Sequence, residues 1–139
     1  MTAKIRTRQV TNAVSAVSMV AEVRRLMVQE QRAMGKKGGI VLEGRDIGTV
    51  VFPDADIKIF MIAQPRERAV RRSKELAASG INTEIDELEK EIIERDKKDA
   101  TRSISPLSKA EDAIVLDTTN MTIEEQVEFI VKKAKEKLA

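Results

Sequence analysis

Three clusters of charged side chains supply the chemistry that this sequence can offer. The first is Gly44-Arg45-Asp46, and the second is Arg95 followed by Asp99 and Arg102 at helical spacing. The third is a run of four arginines: Arg66, Arg68, Arg71 and Arg72. Arginine beside aspartate presents a planar cation and an acceptor to one ligand, and grouped arginines bind phosphates bidentately. Each cluster also has a purely structural interpretation, as an ion pair that closes a loop or as a solvated helix face with weak surface pairs.

Composition narrows this chemistry further. The 139 residues contain no His, Cys, Trp or Tyr, which excludes disulfides, zinc sites with the usual ligands, cysteine nucleophiles and histidine acid–base catalysis. A net charge of +2 and an aromatic content of 2% speak against a nucleic-acid-binding protein. No apolar run approaches the roughly 20 residues of a membrane span, and we see no signal peptide. We therefore expect one globular domain in the cytoplasm, without membrane contact.

Apolar spacing predicts the elements that must position the clusters. Helical periodicity indicates one long helix or two consecutive helices over residues 9–34, closed by the glycines of residues 35–39. Further helices are predicted over residues 65–79, from a cap at Thr83 to about residue 98, and from a capping box at residues 122–125 to residue 138. Continuous apolar runs at residues 40–42, 57–63 and 113–116 are typical of strands buried on both faces. This alternation predicts an α/β fold with a parallel sheet.

The clusters lie where such a fold binds ligands. In open α/β sheets, ligands bind beyond the carboxyl ends of the strands. Gly44-Arg45-Asp46 directly follows the first predicted strand, and the four arginines follow the second. Residues 117–120 follow the third and are best explained as a turn and a helix cap.

Three segments together resemble the bacterial cytidylate kinases. The first is residues 44–55 (GRDIGTVVFPDA), the second is residues 94–102 (ERDKKDATR), and the third is residues 5–15 (IRTRQVTNAVS). The likeness runs in order from about residue 5 to residue 138. It implies a parallel-sheet nucleotide-kinase core of the P-loop NTPase type and transfer of the terminal phosphoryl group of ATP to CMP or dCMP, with magnesium.

The resemblance also implies a role for individual residues. Ser15, Arg24 and Asp46 match residues that read the cytosine, because a carboxylate accepts from an exocyclic amine and a guanidinium donates to a ring acceptor. Arg95 and Asp99 match the pair that holds the ribose hydroxyls. Two arginines, Arg45 and Arg102, match those on the CMP phosphate. Three candidates for stabilising the transferred phosphoryl group fall where the mobile lid begins, namely Arg68, Arg71 and Arg72, and the choice among them stays open.

One part of the family pattern is missing. The sequence contains no G-x-x-x-x-G-K-[ST] loop, which binds the ATP phosphates and helps to place magnesium. The glycines of residues 35–39 have the wrong spacing and precede a predicted strand. The chain therefore resembles the carboxyl-terminal part of a cytidylate kinase, with a core incomplete at its N-terminal side. We expect residues 5–36 to form a helical monophosphate-binding part, residues 39–139 the core, and residues 66–102 a lid-like segment.

This incompleteness leads to further expectations. The 139-residue chain should bind no metal or cofactor tightly and should have little or no kinase activity alone. The alternative is a catalytically silent fragment that binds CMP or complements a separate N-terminal piece. Because the family places a further strand between residues 40–42 and 57–63, we expect these two strands to pair directly or to recruit a strand from another copy.

Overall fold

The computed structural model describes residue 5 and residues 7–138, apart from the side chains of residues 8, 11, 12, 15 and 138. Within this part of the chain, five α-helices, one π-helical turn and two β-strands follow one another. They are α1 (Arg8–Val17), α2 (Ala21–Gly35), the π turn (Ile47–Val51), β1 (Ile59–Ile62), α3 (Pro65–Ala78), α4 (Ile85–Thr101), β2 (Ile114–Asp117) and α5 (Ile123–Leu138). None of the described helices is both long and apolar enough to cross a bilayer.

The predicted N-terminal helical region is divided into two consecutive helices. α1 begins after Thr7, whose hydroxyl accepts a hydrogen bond from the Val10 amide at 3.3 Å, as an N-cap does. α2 ends at Gly35, and Gly38 and Gly39 follow with φ angles of 68° and 66°. These angles belong to the left-handed region that glycine tolerates, so the predicted helix end is confirmed.

Local signals also fix the ends of α3 and α5. α3 begins at Pro65, and at its other end the amides of Gly80 (φ 78°) and Ile81 donate to the carbonyls of Ala77 and Leu76, both at 2.9 Å. This is a Schellman motif. The capping box of α5 forms as predicted. The Thr122 amide donates to Glu125 Oε2 at 2.8 Å, and the Glu125 amide donates to Thr122 Oγ1 at 3.2 Å.

The predicted cap at Thr83 is wrong. α4 begins at Ile85, its N-cap residue is Glu84, and the buried Thr83 hydroxyl has no hydrogen-bond partner. The helix begins one residue later than a Thr83 cap requires, so the hydroxyl cannot reach the amides of the first turn.

The sheet consists of β1 and β2, which run parallel with Ile59 opposite Ile114 and Ile62 opposite Asp117. The predicted parallel α/β arrangement is therefore confirmed for these two strands. The prediction that both faces of the strands are buried is wrong, because the side chains of Met61 and Val115 are about half-exposed.

The predicted strand at residues 40–42 is wrong, and so is its direct pairing with the strand near residue 60. Residues 40–42 have no regular secondary structure, and Val41 is 98% exposed. A short apolar run becomes a strand only where a neighbouring strand satisfies its backbone groups. In the described chain β1 pairs with β2 instead.

The buried apolar side chains of the described residues come from four elements, one from each. They are Val51 of the π turn, Ala69 of α3, Leu88 of α4 and Leu116 of β2. α3 packs along α4, and α2 contacts the π turn. The first contact places Arg68 beside Asp96, and the second places Arg24 beside Asp46.

Candidate functional site

A polar cavity of about 220 Å³ lies between α1, α2, the loop before the π turn and the carboxyl end of α4. Its apolar wall comes mainly from the two N-terminal helices. Its polar wall holds the charged residues from the sequence clusters and from α2, namely Arg24, Arg45, Asp46, Arg95, Asp99 and Arg102. Residues almost 80 positions apart in the chain therefore share one cavity.

The first half of the polar wall is an ion pair between Arg24 and Asp46. Arg24 lies in the first turns of α2, and Asp46 directly precedes the π turn. Arg24 Nη2 is 2.7 Å from Asp46 Oδ2, and both side chains are nearly buried. Arg24 Nη1 also donates to the Ser18 carbonyl at 3.4 Å. The pair therefore joins the two N-terminal helices to the loop that carries the first cluster.

Asp99 forms the second half of the polar wall. Its carboxylate is buried and faces three guanidinium groups: Arg45 Nε at 3.2 Å, Arg102 Nη1 at 3.8 Å and Arg95 Nε at 3.9 Å. Arg95 and Asp99 share a face of α4, as their spacing of four residues predicts. Arg102 is further held by the Ser105 carbonyl, which accepts from its Nε. Asp99 thus fixes the arrangement of three arginines from two segments.

The wall carries more positive than negative charge. Four arginines and two aspartates line the cavity, which leaves two positive charges without a carboxylate. Burial lowers the pKa of the Arg102 guanidinium, the positive charge of Arg24 lowers it further, and the carboxylates of Asp46 and Asp99 oppose both effects. Even so, an arginine remains charged at any working pH. Such a concentration of cations suits a dianionic phosphate.

Five buried polar atoms on this wall make no well-directed hydrogen bond, although Asp46 Oδ2 and Asp99 Oδ2 lie in the ion pairs with Arg24 and Arg45. Three are donors and two are acceptors: Arg24 Nε, Arg95 Nε, Arg102 Nη2, Asp46 Oδ2 and Asp99 Oδ2. Buried polar groups are rarely left unsatisfied, and a cluster of them calls for an explanation. A ligand with both donors and acceptors, together with an anionic group, would satisfy this set.

The three candidate lid arginines do not line the cavity. Arg68 pairs with Asp96 through two guanidinium nitrogens, and Arg71 donates to Glu67 at 3.0 Å and to the Thr118 carbonyl at 2.5 Å. Arg72 pairs only with Glu75 three residues away, and that pair is exposed. All three lie on α3, facing α4, the end of β2 or solvent.

Asp96 connects α3 with the cavity. Its carboxylate binds Arg68 on one side and lies 3.8 Å from Arg45 Nη1 on the other. Arg45 is in turn paired with Asp99. A chain of alternating charges therefore runs from α3 to the arginines of the cavity.

Six of the seven residues predicted to bind CMP meet at this cavity. Ser15 lies in α1, but its side chain is outside the described residues, so its predicted contact with a base stays a prediction. Sequence reasoning missed Gln31 in the lining and the bridging role of Asp96. Gln31 could have been found, because it lies seven positions after Arg24 and therefore on the same face of α2.

The described residues contain no cluster of three acidic side chains that could hold a metal ion. Both carboxylates of the cavity face arginines instead.

The structure defines an α/β protein with a cavity lined by arginine and aspartate side chains. Comparison with known proteins gives the family. A model of the family "Cytidylate kinase" matches residues 1–136, and the chain belongs to this family. The resemblance noted from its motifs is therefore confirmed.

Curated relatives agree with this assignment. The chain is 56% identical over 135 residues to a cytidylate kinase of Lactococcus lactis subsp. cremoris (strain MG1363), covering 97% of this chain and 61% of the relative. It is 52% identical over 130 residues to that of Clostridioides difficile (strain 630), covering 94% and 60%. It is 50% identical over 138 residues to that of Streptococcus pneumoniae (strain Hungary19A-6), covering 99% and 62%. The chain thus spans about three-fifths of the length of these relatives, in agreement with the predicted partial kinase.

Proposed function

We propose that the cavity binds the nucleoside monophosphate, CMP or dCMP, that a cytidylate kinase phosphorylates. The observation that carries this proposal is the partly buried wall of four arginines and two aspartates, on which donors and acceptors lack well-directed hydrogen bonds. A pyrimidine nucleotide offers matching groups, namely an amine, hydroxyls and a dianionic phosphate. The name of the relatives, cytidylate kinase, indicates the same substrate.

Asp46 and Arg24 recognise the base in this proposal. The Asp46 carboxylate accepts from the exocyclic amine of cytosine, and Arg24 donates to a ring acceptor. The two side chains are already in contact at 2.7 Å, so they present donor and acceptor side by side. Ser15 on α1 is the third residue assigned to the base.

The residues around Asp99 bind the rest of the nucleotide. Arg95 and Asp99 hold the ribose hydroxyls, and Arg45 and Arg102 bind the phosphate. Asp99 contacts all three of these arginines within 3.9 Å. The carboxylate therefore has a second task, which is to hold the arginines apart and oriented before the ligand arrives.

The arginines of α3 serve the transferred phosphoryl group. In the complete enzyme the terminal phosphoryl of ATP passes to a phosphate oxygen of CMP, which gives ADP and CDP. This chemistry depends on positioning and charge neutralisation, so it needs no histidine or cysteine. Among the three candidates we favour Arg72, because its exposed pair with Glu75 is worth at most about 1 kcal/mol and is easily exchanged for phosphate. Residues 66–102 form the lid-like segment in this scheme.

The isolated 139-residue chain binds CMP in our proposal but does not turn it over. Its sequence carries no phosphate-binding loop, which binds the ATP phosphates and helps to place magnesium. The chain alone is then a silent CMP-binding fragment, or a half that complements a separate N-terminal piece of a kinase.

Calorimetry with CMP tests the binding proposal. We expect saturable binding by the wild-type chain and at least a tenfold weaker affinity in Asp46→Ala and Arg95→Ala, because each change removes a charged hydrogen-bonding group. Glu94→Ala is the matched control, since Glu94 adjoins Arg95 but pairs with the exposed Lys98. Equal weak heats in all four proteins would contradict the proposal.

A coupled kinase assay tests the rest. We expect negligible ADP formation from ATP, magnesium and CMP by the chain alone, and recovery when an N-terminal piece with a phosphate-binding loop is added. Robust turnover by the chain alone would contradict the expected inactivity.

Recruitment of a strand from a second copy stays a prediction. Light scattering tests it, because strand exchange between two copies would give the mass of a dimer.

A further inference from the structure

Arg32 holds the far end of the π turn that carries Asp46. It lies on α2, eight residues after Arg24 and outside the cavity lining. Its Nε donates to the Val51 carbonyl at 2.9 Å, and its Nη2 donates to the Val50 carbonyl at 2.6 Å. These carbonyls end the π turn, where no further helical amide follows to bind them. One guanidinium therefore satisfies two terminal carbonyls, with the strength of charge-assisted bonds.

The same two residues also bind the backbone of Asp46. The amides of Val50 and Val51 donate to the Asp46 carbonyl at 2.8 and 3.2 Å. Arg32 thus binds the carbonyl side of Val50 and Val51, while Asp46 binds their amide side. The Asp46 carboxylate then returns to Arg24 on α2. This closes a ring in which one helix contacts both ends of one turn.

Three contacts along α2 hold the π turn in place. π-helical turns are rare and are frequent at functional sites. Arg24 and Arg32 are about 12 Å apart along the axis of α2, from a rise of 1.5 Å per residue. Gly35, at the end of the same helix, lets Phe52 approach so closely that a Cβ at Gly35 would lie 2.4 Å from the Phe52 ring. α2 is therefore fixed against the turn at three points, of which only the Arg24 contact belongs to the cavity.

We propose that Arg32 is a positioning residue, which sets the place of Asp46 relative to Arg24 and thereby the discrimination between cytosine and uracil. This inference rests on the proposed CMP site. The exocyclic amine of cytosine donates to a carboxylate, whereas uracil presents a carbonyl at the same place, which a carboxylate repels. The ribose and the phosphate are the same in CMP and UMP. A shift of Asp46 changes the ratio of the two affinities, whereas general destabilisation lowers both alike.

The first experiment measures CMP and UMP affinities of the whole chain by calorimetry. In Arg32→Met we expect CMP affinity to fall about tenfold, UMP affinity to change less than about twofold, and the CMP:UMP ratio to fall accordingly. Arg32→Lys retains one charged donor and should recover part of the ratio. Arg25→Met, on an exposed position of the same helix, is the control and should leave the ratio unchanged. Equal losses for both nucleotides, or an unchanged ratio, would overturn the inference.

A second measurement needs no ligand and keeps the inference separate from the proposed function. Amide hydrogen exchange of Val50 and Val51 reports whether their bonds to Asp46 persist. We expect exchange at these two amides to become at least about tenfold faster in Arg32→Met, and to stay unchanged in Arg25→Met. If the wild-type chain binds neither nucleotide, the proposed function fails and this comparison decides whether Arg32 holds the turn. Unchanged exchange overturns the inference in either case.

Discussion

The cavity and the two-stranded sheet of this molecule bury opposite kinds of side chain. At the cavity, the charged groups of Asp46, Asp99 and Arg102 are almost completely buried. At the sheet, the apolar side chains of Met61 and Val115 are about half-exposed. Folded proteins usually show the reverse. The described residues thus build the ligand side of the fold, where each cavity charge lies near an opposite charge, but leave part of the sheet's apolar surface uncovered.

The stability of the two regions should therefore respond to different changes. The cavity depends on opposite charges that compensate one another, so removing a single carboxylate leaves arginines buried together. The sheet depends on apolar contacts, and only positions that are already buried contribute fully. The following predictions separate the two regions, beginning with the largest effect.

Asp99→Ala should have the largest effect. It leaves Arg45, Arg95 and Arg102 without their shared carboxylate, and breaking a buried ion pair from one side costs about 3–5 kcal/mol. We expect a large loss of thermal stability and no measurable CMP binding. Asp99→Asn, which keeps the shape, separates charge from packing and should lose binding with a smaller loss of stability. Wild-type stability in Asp99→Ala would show that the three arginines do not depend on this carboxylate.

Leu116→Ala should be the most damaging change on the sheet side. The side chain is 4% exposed, and truncating a buried leucine costs about 2–5 kcal/mol. Its neighbour Val115 is 47% exposed, so Val115→Ala should cost less than about 1 kcal/mol. Chemical unfolding measures both. Similar losses for the two variants would mean that Val115 is covered in solution.

Arg68→Met tests the charge chain between α3 and the cavity. The change removes the partner of Asp96, which then attracts Arg45 more strongly and competes with the phosphate. We expect a decrease in CMP affinity of about two- to fivefold, with little change in stability, because pairs of this exposure are worth about 1 kcal/mol. Lys74→Met, at an exposed position of the same helix, is the control for binding and should leave CMP affinity unchanged. Equal effects from both variants would contradict a role of the Arg68–Asp96–Arg45 contacts in CMP binding.

The pH dependence of the sheet side should be the smallest effect. Lys58 binds Asp112, and their hydrogen bond lowers the pKa of the Asp112 carboxyl below its ordinary value. A carboxyl with a lowered folded pKa stabilises the protein above its unfolded pKa, and this contribution is lost as the pH falls through the folded value. Wild type should therefore be slightly more stable than Asp112→Asn at pH 7, and the difference should begin to decrease at about pH 4 and vanish once the pH is below the lowered pKa of folded Asp112. A difference that persists in acid would contradict this assignment.

The sequence predicts the local parts of this structure well because their signals are local. Pro65, Gly80 and the capping box at Thr122 each act within one helical turn, and each forms as expected. The i, i+4 relation of Arg95 and Asp99 likewise needs only helix geometry. The three motifs at residues 5–15, 44–55 and 94–102 were sufficient to predict the family.

Other features depended on contacts between distant segments. The apolar run at residues 40–42 has the composition of a strand, but no described strand pairs with it. The π turn has no sequence signal of its own, and Arg32 acts through backbone carbonyls nearly twenty residues away. The spacing of Asp96 indicates only a charged helix face, whereas its bridging contacts depend on how α3 packs against α4.

The central claim is that CMP binds between α2, the loop before the π turn and the end of α4. The most direct test is a nuclear magnetic resonance titration of the ¹⁵N-labelled chain with CMP. Our account predicts saturable shifts at the amides of Arg24, Asp46 and Asp99 and at their neighbours, with the amides of β1, β2 and α5 unchanged. An absence of shifts at saturating CMP, or shifts confined to the sheet and α5, would contradict it.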